Sequence, residues 1–229
     1  MAKKKFFVAG TDTDAGKTLV ASAILEKARQ MGLETVAVKP VASGCEQTPD
    51  GLRNSDALAL MDAMTADLPY EQVNPIAFEP AIAPHIAAMR ANKQLSVSRL
   101  AGYCNGVLMR ACDLVIIEGA GGWRVPLNPR ETLADLVQEL NLPVILVVGV
   151  KLGCINHALL TVEAIERDGL QVAGWVANRI DPDMSCYEEN MMTLRSLINA
   201  PCLGEIPFLD VVDKSNAATH LDVSAALSV

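Results

Sequence analysis

The sequence predicts an α/β fold, a single domain over 1–229 with a mostly parallel β-sheet and helices on both faces. Three observations predict it. Apolar runs of strand length alternate with helically spaced segments along the whole chain. Hydrophobic residues make up 51% of the sequence and aromatic ones only 4%, so Ala, Val, Leu and Ile carry an apolar content suited to a sheet buried on both faces. Near the start, Gly10-Thr11-Asp12-Thr13-Asp14-Ala15-Gly16-Lys17-Thr18 follows an apolar run and opens a helical pattern, the order of parts in a P-loop. The loop is stretched: counting back from Gly16, Thr11 stands where the usual spacing places glycine.

The elements follow in order. Phe6–Ala9 reads as a buried strand, and Thr18 to Met31 as a helix stopped by Gly32. Glu34 to Val38 is a second strand, ending at Lys39-Pro40. Val41 to Arg53 is polar and rich in turn formers, hence a long loop, and Asp56 to Met64 is a helix. Leu68 to Pro84 holds four prolines and reads as irregular surface structure. Ile86–Arg90 and Val97–Arg110 are helical, and Leu114 to Ile117 is a strand running into Glu118-Gly119-Ala120-Gly121-Gly122. Helices over Thr132–Leu140, Ile155–Arg167 and Tyr187–Ile198 alternate with strands over Pro143–Gly149, Val172–Ala177 and Cys202–Ile206. No internal repeat or low-complexity linker interrupts them.

A net charge of −8 and a pI near 4.9 argue against non-specific nucleic-acid binding and against an anionic membrane surface. Six cysteines with no CxxC pair, beside three histidines, point to reduced thiols and not to zinc, iron–sulfur or a disulfide framework. The apolar run after Lys3-Lys4-Lys5 breaks at Gly10 and Asp12, too soon for a signal peptide. Leu142 to Val150 contains a proline and is too short to span a bilayer. A soluble, cytoplasmic protein is expected.

Polar residues cluster where strands end. Lys39, Glu118, Gly149 and Asn178 each follow an apolar run, and in open α/β sheets ligands sit beyond the carboxyl ends of the strands. These positions are therefore expected to line one crevice with the P-loop. Lys17 would neutralise phosphate charge and Thr18 would ligate Mg²⁺. Asp12 and Asp14 repel phosphate, so they read as helix caps or as acids that orient a loop amide, a metal-bound water or a cationic substrate group. Lys39 reads as a second cation for a transferring phosphoryl group. Ser43 and Gly44 read as turn residues or substrate contacts. Glu118 and Asp56 are the candidate Mg²⁺ carboxylates, Asp56 having a helix cap as its plain alternative. The glycines after Glu118 allow close approach of a ligand to the backbone. The free amides of Gly153-Cys154-Ile155-Asn156-His157 suit a carboxylate, and Asn178 suits either an adenine edge or a strand-end cap. His85 reads as a surface histidine, and Met89, Met191 and Met192 as fillers.

Taken together, these motifs resemble one family. The stretched loop, Lys39-Pro40-Val41-Ala42-Ser43-Gly44, Asn54-Ser55-Asp56, Glu118-Gly119-Ala120-Gly121-Gly122, Val144 to His157 and Gly204-Glu205-Ile206-Pro207 occur in this order in dethiobiotin synthetases. The resemblance spans nearly the whole chain and implies a P-loop NTPase-like fold. It implies an ATP-dependent cyclo-ligase of biotin biosynthesis that joins 7,8-diaminopelargonate and CO₂, with MgATP, into dethiobiotin, ADP and phosphate. The implied path runs through a carbamate and a carbamic–phosphoric anhydride, with nothing bonded covalently to the protein. Carried over by position, Lys17 and Lys39 are catalytic, and Thr18, Asp56 and Glu118 organise Mg²⁺. Asp14, Ala15, Gly16, Lys17, Thr18 and Leu19 hold the phosphates, with Glu118, Gly119, Ala120 and Gly121 beside them. Asn178, Arg179, Pro207, Phe208 and Leu209 surround the adenine. Thr13 and Ser43 contact the diamine or carbamate. A homodimer is implied, with Gly153, Cys154, Ile155 and Asn156 of the partner chain binding the substrate's tail carboxylate.

Asp14-Ala15 stands where Glu-Val is common, Ala83 where a serine often precedes Pro-His, and Asn190 where some members carry a tyrosine. Two other readings compete. A P-loop amidating ligase would carry a glutaminase domain, for which the chain is too short. A partitioning-type nucleotide-switch ATPase would carry a lysine inside the loop, and positions 11 to 15 hold none.

Overall fold

The computed structural model describes residues 3–228; Met1, Ala2 and Val229, which the expected domain 1–229 includes, lie outside them. Strand β1 (Lys4–Gly10) leads through the loop into helix α1 (Lys17–Gln30), followed by β2 (Thr35–Val38) and β3 (Val41–Ala42). Next come β4 (Glu46–Thr48), β5 (Gly51–Arg53), α2 (Ser55–Ala63), α3 (Tyr70–Val73), β6 (Ile76–Ala77), α4 (Pro84–Arg90) and α5 (Val97–Leu108). Then β7 (Leu114–Glu118), α6 (Leu133–Leu140), β8 (Val144–Val150), α7 (Cys154–Arg167), β9 (Val172–Arg179), α8 (Tyr187–Leu197) and β10 (Cys202–Ile206) alternate. Two short helices, α9 (Lys214–Thr219) and α10 (Ser224–Ser228), close the described chain.

Six strands form one parallel sheet in the order β10-β9-β8-β1-β7-β2. All seven residues of β8 and all five of β7 are buried, which requires cover on both faces, and the helices supply it. β1 lies between β8 and β7, pairing Phe7 with both Ile117 and Val144. The segments that leave β1, β7 and β8 therefore emerge side by side at the carboxyl edge, and this places the site.

Local chemistry explains the helix starts. Asn54 caps α2 by accepting from the Ala57 N–H at 3.2 Å, and Ser96 caps α5 by accepting from the Arg99 N–H at 3.3 Å. At α6 the Thr132 N–H and hydroxyl both donate to Asp135 Oδ2, at 2.6 and 2.8 Å. The helix-cap alternative for Asp56 is thus replaced: Asn54 caps, and Asp56 is free to face the site.

The expected alternation is present, and three segments differ from expectation. The loop over Val41 to Arg53 contains β3 and the antiparallel β4–β5 hairpin. The proline-punctuated segment from Leu68 to Pro84 is surface structure only in part. Tyr70, Val73, Asn74, Ile76 and Phe78 are buried, and β6 pairs parallel with β3. Leu68, Tyr70 and Val73 belong to the main core, while Ile76 and Phe78 join Leu100, Leu127 and Leu136 in a second core beneath α4, α5 and α6. Helices α9 and α10 had no sequence expectation. Ala217 and Ala218 of α9 are buried in the main core, and α9 packs on α1. Met191 is buried and Met89 and Met192 are exposed, as fillers of either kind.

Candidate functional site

The loop before α1 is built to present free amides. Gly16, at φ +91°, is the N-cap of α1, no side chain caps that end, and no acid stands in the first turn. The N–H groups of the first turn are left to a ligand, and the helix dipole favours an anion there. A side chain at Gly16 is excluded twice over: the backbone is left-handed, and a Cβ would lie 2.1 Å from Asn178 Nδ2. The capping alternative for Asp12 and Asp14 is accordingly corrected. Asp12 Oδ1 accepts from the Thr13 N–H at 2.8 Å, so Asp12 orients a loop amide, and Asp14 sits at φ +59°.

The stretch in the loop has a structural cause. The Thr11 N–H donates to Val147 O at 2.9 Å, and the Thr11 hydroxyl accepts from the Gly149 N–H at 3.3 Å. Where the usual loop has glycine, Thr11 instead stitches the loop to β8. The Lys17 ammonium donates to Asp12 O at 3.1 Å across the loop. Burial pulls its pKa below the usual 10.5, the Glu118 carboxylate opposes that, and Lys39 adds to it.

Beside this loop stands a buried charge cluster. Lys39, 3% exposed, follows β2; its ammonium lies 2.6 Å from Glu118 Oε1 and 2.8 Å from Asp56 Oδ2. Glu118 ends β7 with no exposure, and its Oε1 also accepts from the Thr18 hydroxyl at 2.8 Å. Burial acts to lower the Lys39 pKa, but Glu118 and Asp56 together outweigh it and raise the value above 10.5. For Asp56 burial acts upward, and the Lys39 ammonium, with help from the Thr18 hydroxyl, holds the pKa below 3.8.

The depressed Asp56 pKa contributes stability above 3.8 that is lost as pH falls through the lower folded value. The raised Lys39 pKa contributes stability below 10.5 that is lost only as pH rises through its higher folded value. The pair therefore holds across neutral pH. We expect the thermal midpoint of the wild type to exceed that of Asp56→Asn by a constant margin at neutral pH. The margin should shrink only below about pH 4. Thermal unfolding of both proteins across that range checks it; a margin that vanished by pH 6 would contradict the pairing.

Thr18, Asp56 and Glu118 offer hard oxygen donors, and Glu118 Oε2 is buried with no hydrogen-bond partner. Among the described residues no group of three or more His, Cys, Asp or Glu could hold a metal by itself. A cation here would thus combine one hydroxyl, two carboxylates and outside oxygens. Such a donor set fits Mg²⁺ carried on a nucleotide.

The cluster opens on a cavity of about 930 Å³. The structure brings Thr13, Asp14, Gly16, Lys17, Thr18, Leu19, Lys39, Ser43, Asp56, Ala120, Gly121, Asn178, Arg179, Pro207, Phe208 and Leu209 to its wall. Ala15, Glu118 and Gly119 lie buried behind that wall. Gly119 packs on Phe7, where a Cβ would stand 2.7 Å from the ring. Asn178 donates to Ala15 O at 3.0 Å, tying the end of β9 to the loop. The Ser43 hydroxyl is buried and unpartnered. Gly153 to Asn156 are not brought to this wall. They start α7 beyond β8, with Gly153 in a left-handed cap and Cys154 buried.

Sequence reasoning missed several wall residues. Ile82 and Pro84 come from the segment misread as surface, and Val212 from a stretch with no periodicity. Arg124 was missed although a cation two residues after a glycine run was a usable signal. Its guanidinium makes two 2.8 Å contacts with Asp168, which also accepts from Trp123 Nε1 at 2.8 Å, so Asp168 fixes the far end of the glycine loop. His85 is half-buried, with an unpartnered Nδ1.

A family model described as an AAA domain matches residues 4–216. The chain is 60% identical over 227 residues to the ATP-dependent dethiobiotin synthetase BioD of Cellvibrio japonicus, covering 99% of each chain. To the protein of the same name in Marinobacter nauticus it is 58% identical, covering 93% of this chain and 92% of the other. To that of Aeromonas salmonicida it is 50% identical, covering 98% and 99%. Among solved structures, the septum site-determining protein MinD of Pyrococcus horikoshii, complexed with Mg-ADP, superposes with a TM-score of 0.57. Its identity is 13%, covering 96% of this chain and 88% of that one. A ParA family ATPase of Chlorobium tepidum gives 0.55 at 14% identity, covering 91% and 85%. These two establish a shared fold and nothing more. The fold is that of the P-loop NTPases, and with relatives this similar along its whole length the chain belongs to the dethiobiotin synthetase family.

Proposed function

We propose that the protein closes the ureido ring of dethiobiotin from 7,8-diaminopelargonate and CO₂ at the expense of ATP, as a step of biotin biosynthesis. The observation that carries this reading is the pairing of two buried lysines, Lys17 and Lys39, at one cavity wall with an uncapped helix start. Such a wall suits phosphoryl transfer to a small anionic acceptor, where positioning and electrostatics do the work.

One amine of the substrate takes up CO₂ and releases a proton, giving a carbamate. A carbamate oxygen attacks the γ-phosphorus while the bond to ADP breaks, giving a carbamic–phosphoric anhydride. The second amine attacks the carbonyl carbon, the bond to phosphate breaks, and a proton is released with the phosphate. Lys17 and the first-turn amides of α1 hold the β- and γ-phosphates. Lys39 supplies positive charge to the transferring group and the carbamate. Thr13 and the unpartnered Ser43 hydroxyl contact the diamine or carbamate, and Asn178, Arg179 and Pro207 to Leu209 enclose the base. Thr18, Asp56 and Glu118 would hold Mg²⁺, which supplies charge neutralisation on the phosphates when bound. These roles are our assignment by position.

A homodimer is part of the proposal. Gly153 to Asn156 lie off this chain's cavity and start a helix beside the exposed Leu152, with exposed Leu160 farther along it, as suits a partner's substrate tail and an apolar interface. The cytoplasm is the proposed compartment, in keeping with six free cysteines. No helix among the described residues is long and apolar enough to cross a membrane.

The test is phosphate release from MgATP with and without 7,8-diaminopelargonate and bicarbonate. We expect release only with both present. Release independent of the diamine would refute the proposal.

A further inference from the structure

Lys39 and Ser43 lie just past strand ends, and Asp56 lies at a helix start, so all three sit where regular secondary structure begins or stops. Lys39 follows the last residue of β2, Ser43 sits in a turn, and Asp56 is in the first turn of α2. Beneath them run three buried polar side chains: Asn54, Tyr70 and Asn74, exposed 4%, 7% and 3%. They are joined to one another and to Lys39 through hydrogen bonds from one main-chain and two side-chain donors. The Asn54 N–H donates to the Tyr70 hydroxyl at 2.7 Å, that hydroxyl donates to Asn74 Oδ1 at 3.0 Å, and Asn74 Nδ2 donates to Lys39 O at 2.7 Å. The Lys39 N–H donates to Val73 O at 2.8 Å, so the end of α3 grips Lys39 by both its N–H and its C=O. At the other end Asn54 Oδ1 caps the helix carrying Asp56, and Asn54 Nδ2 donates to Ser43 O at 3.4 Å. The Arg53 guanidinium lies 4.1 Å over the Tyr70 ring and covers the hydroxyphenyl from outside.

We propose that Asn54, Tyr70 and Asn74 are positioning residues, a buried hydrogen-bond relay that sets Lys39 and Asp56 at ion-pair distance and fixes Ser43 beside them. The inference rests on the function proposed above for those three side chains. Buried polar groups are costly unless every partner is present, so the relay is satisfied only when the three segments sit in one arrangement. Burial also pushes the Tyr70 phenol above its usual pKa of 10.0, which keeps its hydroxyl a donor through neutral pH.

Tyr70→Phe removes one oxygen and leaves the Asn54 N–H and Asn74 Oδ1 unpaired. We expect kcat to fall about tenfold with the KM for ATP changed less than about twofold. Amide exchange at Lys39 should accelerate about tenfold while exchange at Ile116 in β7 stays as in the wild type. Asn74→Ser should reproduce both effects. Uniform acceleration at Lys39 and Ile116 would mean that Tyr70 only stabilises the fold, and would overturn the inference. So would an unchanged kcat in Tyr70→Phe where Lys39→Ala abolishes turnover. Full turnover in Lys39→Ala would bring down the reading of Lys39 itself, and the relay's purpose with it. Exchange does not depend on turnover, so the two failures are told apart.

Discussion

Lys39→Ala is expected to lower kcat by about a hundred- to a thousandfold while the dissociation constant of MgATP moves less than about threefold. The ammonium is held by Glu118 and Asp56 at the cavity wall that Lys17 also lines. Its charge counts most where new negative charge gathers on the transferring phosphoryl group, and less where ATP merely rests on the amides of α1. The variant also loses stability, on the order of 3 kcal/mol, because Glu118 stays buried without its cation. Folded domains have roughly 5–15 kcal/mol to lose, so the protein stays folded near room temperature. Lys39→Met keeps most of the side-chain volume and should give the same kinetic result. Steady-state phosphate release and nucleotide titration separate the two quantities. Equal losses in both would make Lys39 a plain nucleotide-binding residue.

Glu118→Gln is expected to be as severe in turnover and to weaken metal-dependent nucleotide binding as well. Glu118 Oε1 accepts from both Thr18 and Lys39, and Oε2 is unpartnered. A glutamine cannot serve both positions. With its amide nitrogen at Oε1 it confronts the Lys39 ammonium; with the nitrogen at Oε2 it places a donor where a cation needs an acceptor. Losing the charge also leaves Asp56, among the described residues, as the only carboxylate on the Lys39 ammonium, and Asp56 is partly exposed. We expect turnover to drop about a thousandfold, and the advantage of MgATP over metal-free ATP in binding to shrink about tenfold. Calorimetric titration with and without Mg²⁺ reads the second quantity. An unchanged metal dependence would remove Glu118 from the proposed metal site.

The parts of the site read from sequence were those whose signal is local. Gly16-Lys17-Thr18 sits directly after an apolar run, and Lys39 and Asn178 each end one, so strand-end position was enough to bring them to one wall. Glu118 was placed correctly at a strand end, but its depth was not legible: burial to zero exposure follows from its pairing with Thr18 and Lys39, which are distant in sequence. The segment from Leu68 to Pro84 was misread because its prolines erase periodicity, whereas Tyr70, Val73 and Phe78 are buried by packing against remote elements. Asp56 looked like a cap because short acids cap helices; only the structure shows Asn54 doing so. Helix α9 is short and weakly patterned, and it exists through its docking on α1.

The central proposal is that ATP is spent on a carbamate made from the diamine and CO₂, beside Lys17 and Lys39. It is tested most directly by turning the enzyme over with heavy-oxygen bicarbonate, unlabelled water and 7,8-diaminopelargonate, and weighing the phosphate released. Attack by a carbamate oxygen on the γ-phosphorus predicts phosphate carrying one heavy oxygen, formed in step with dethiobiotin. Unlabelled phosphate accompanying labelled dethiobiotin would contradict it.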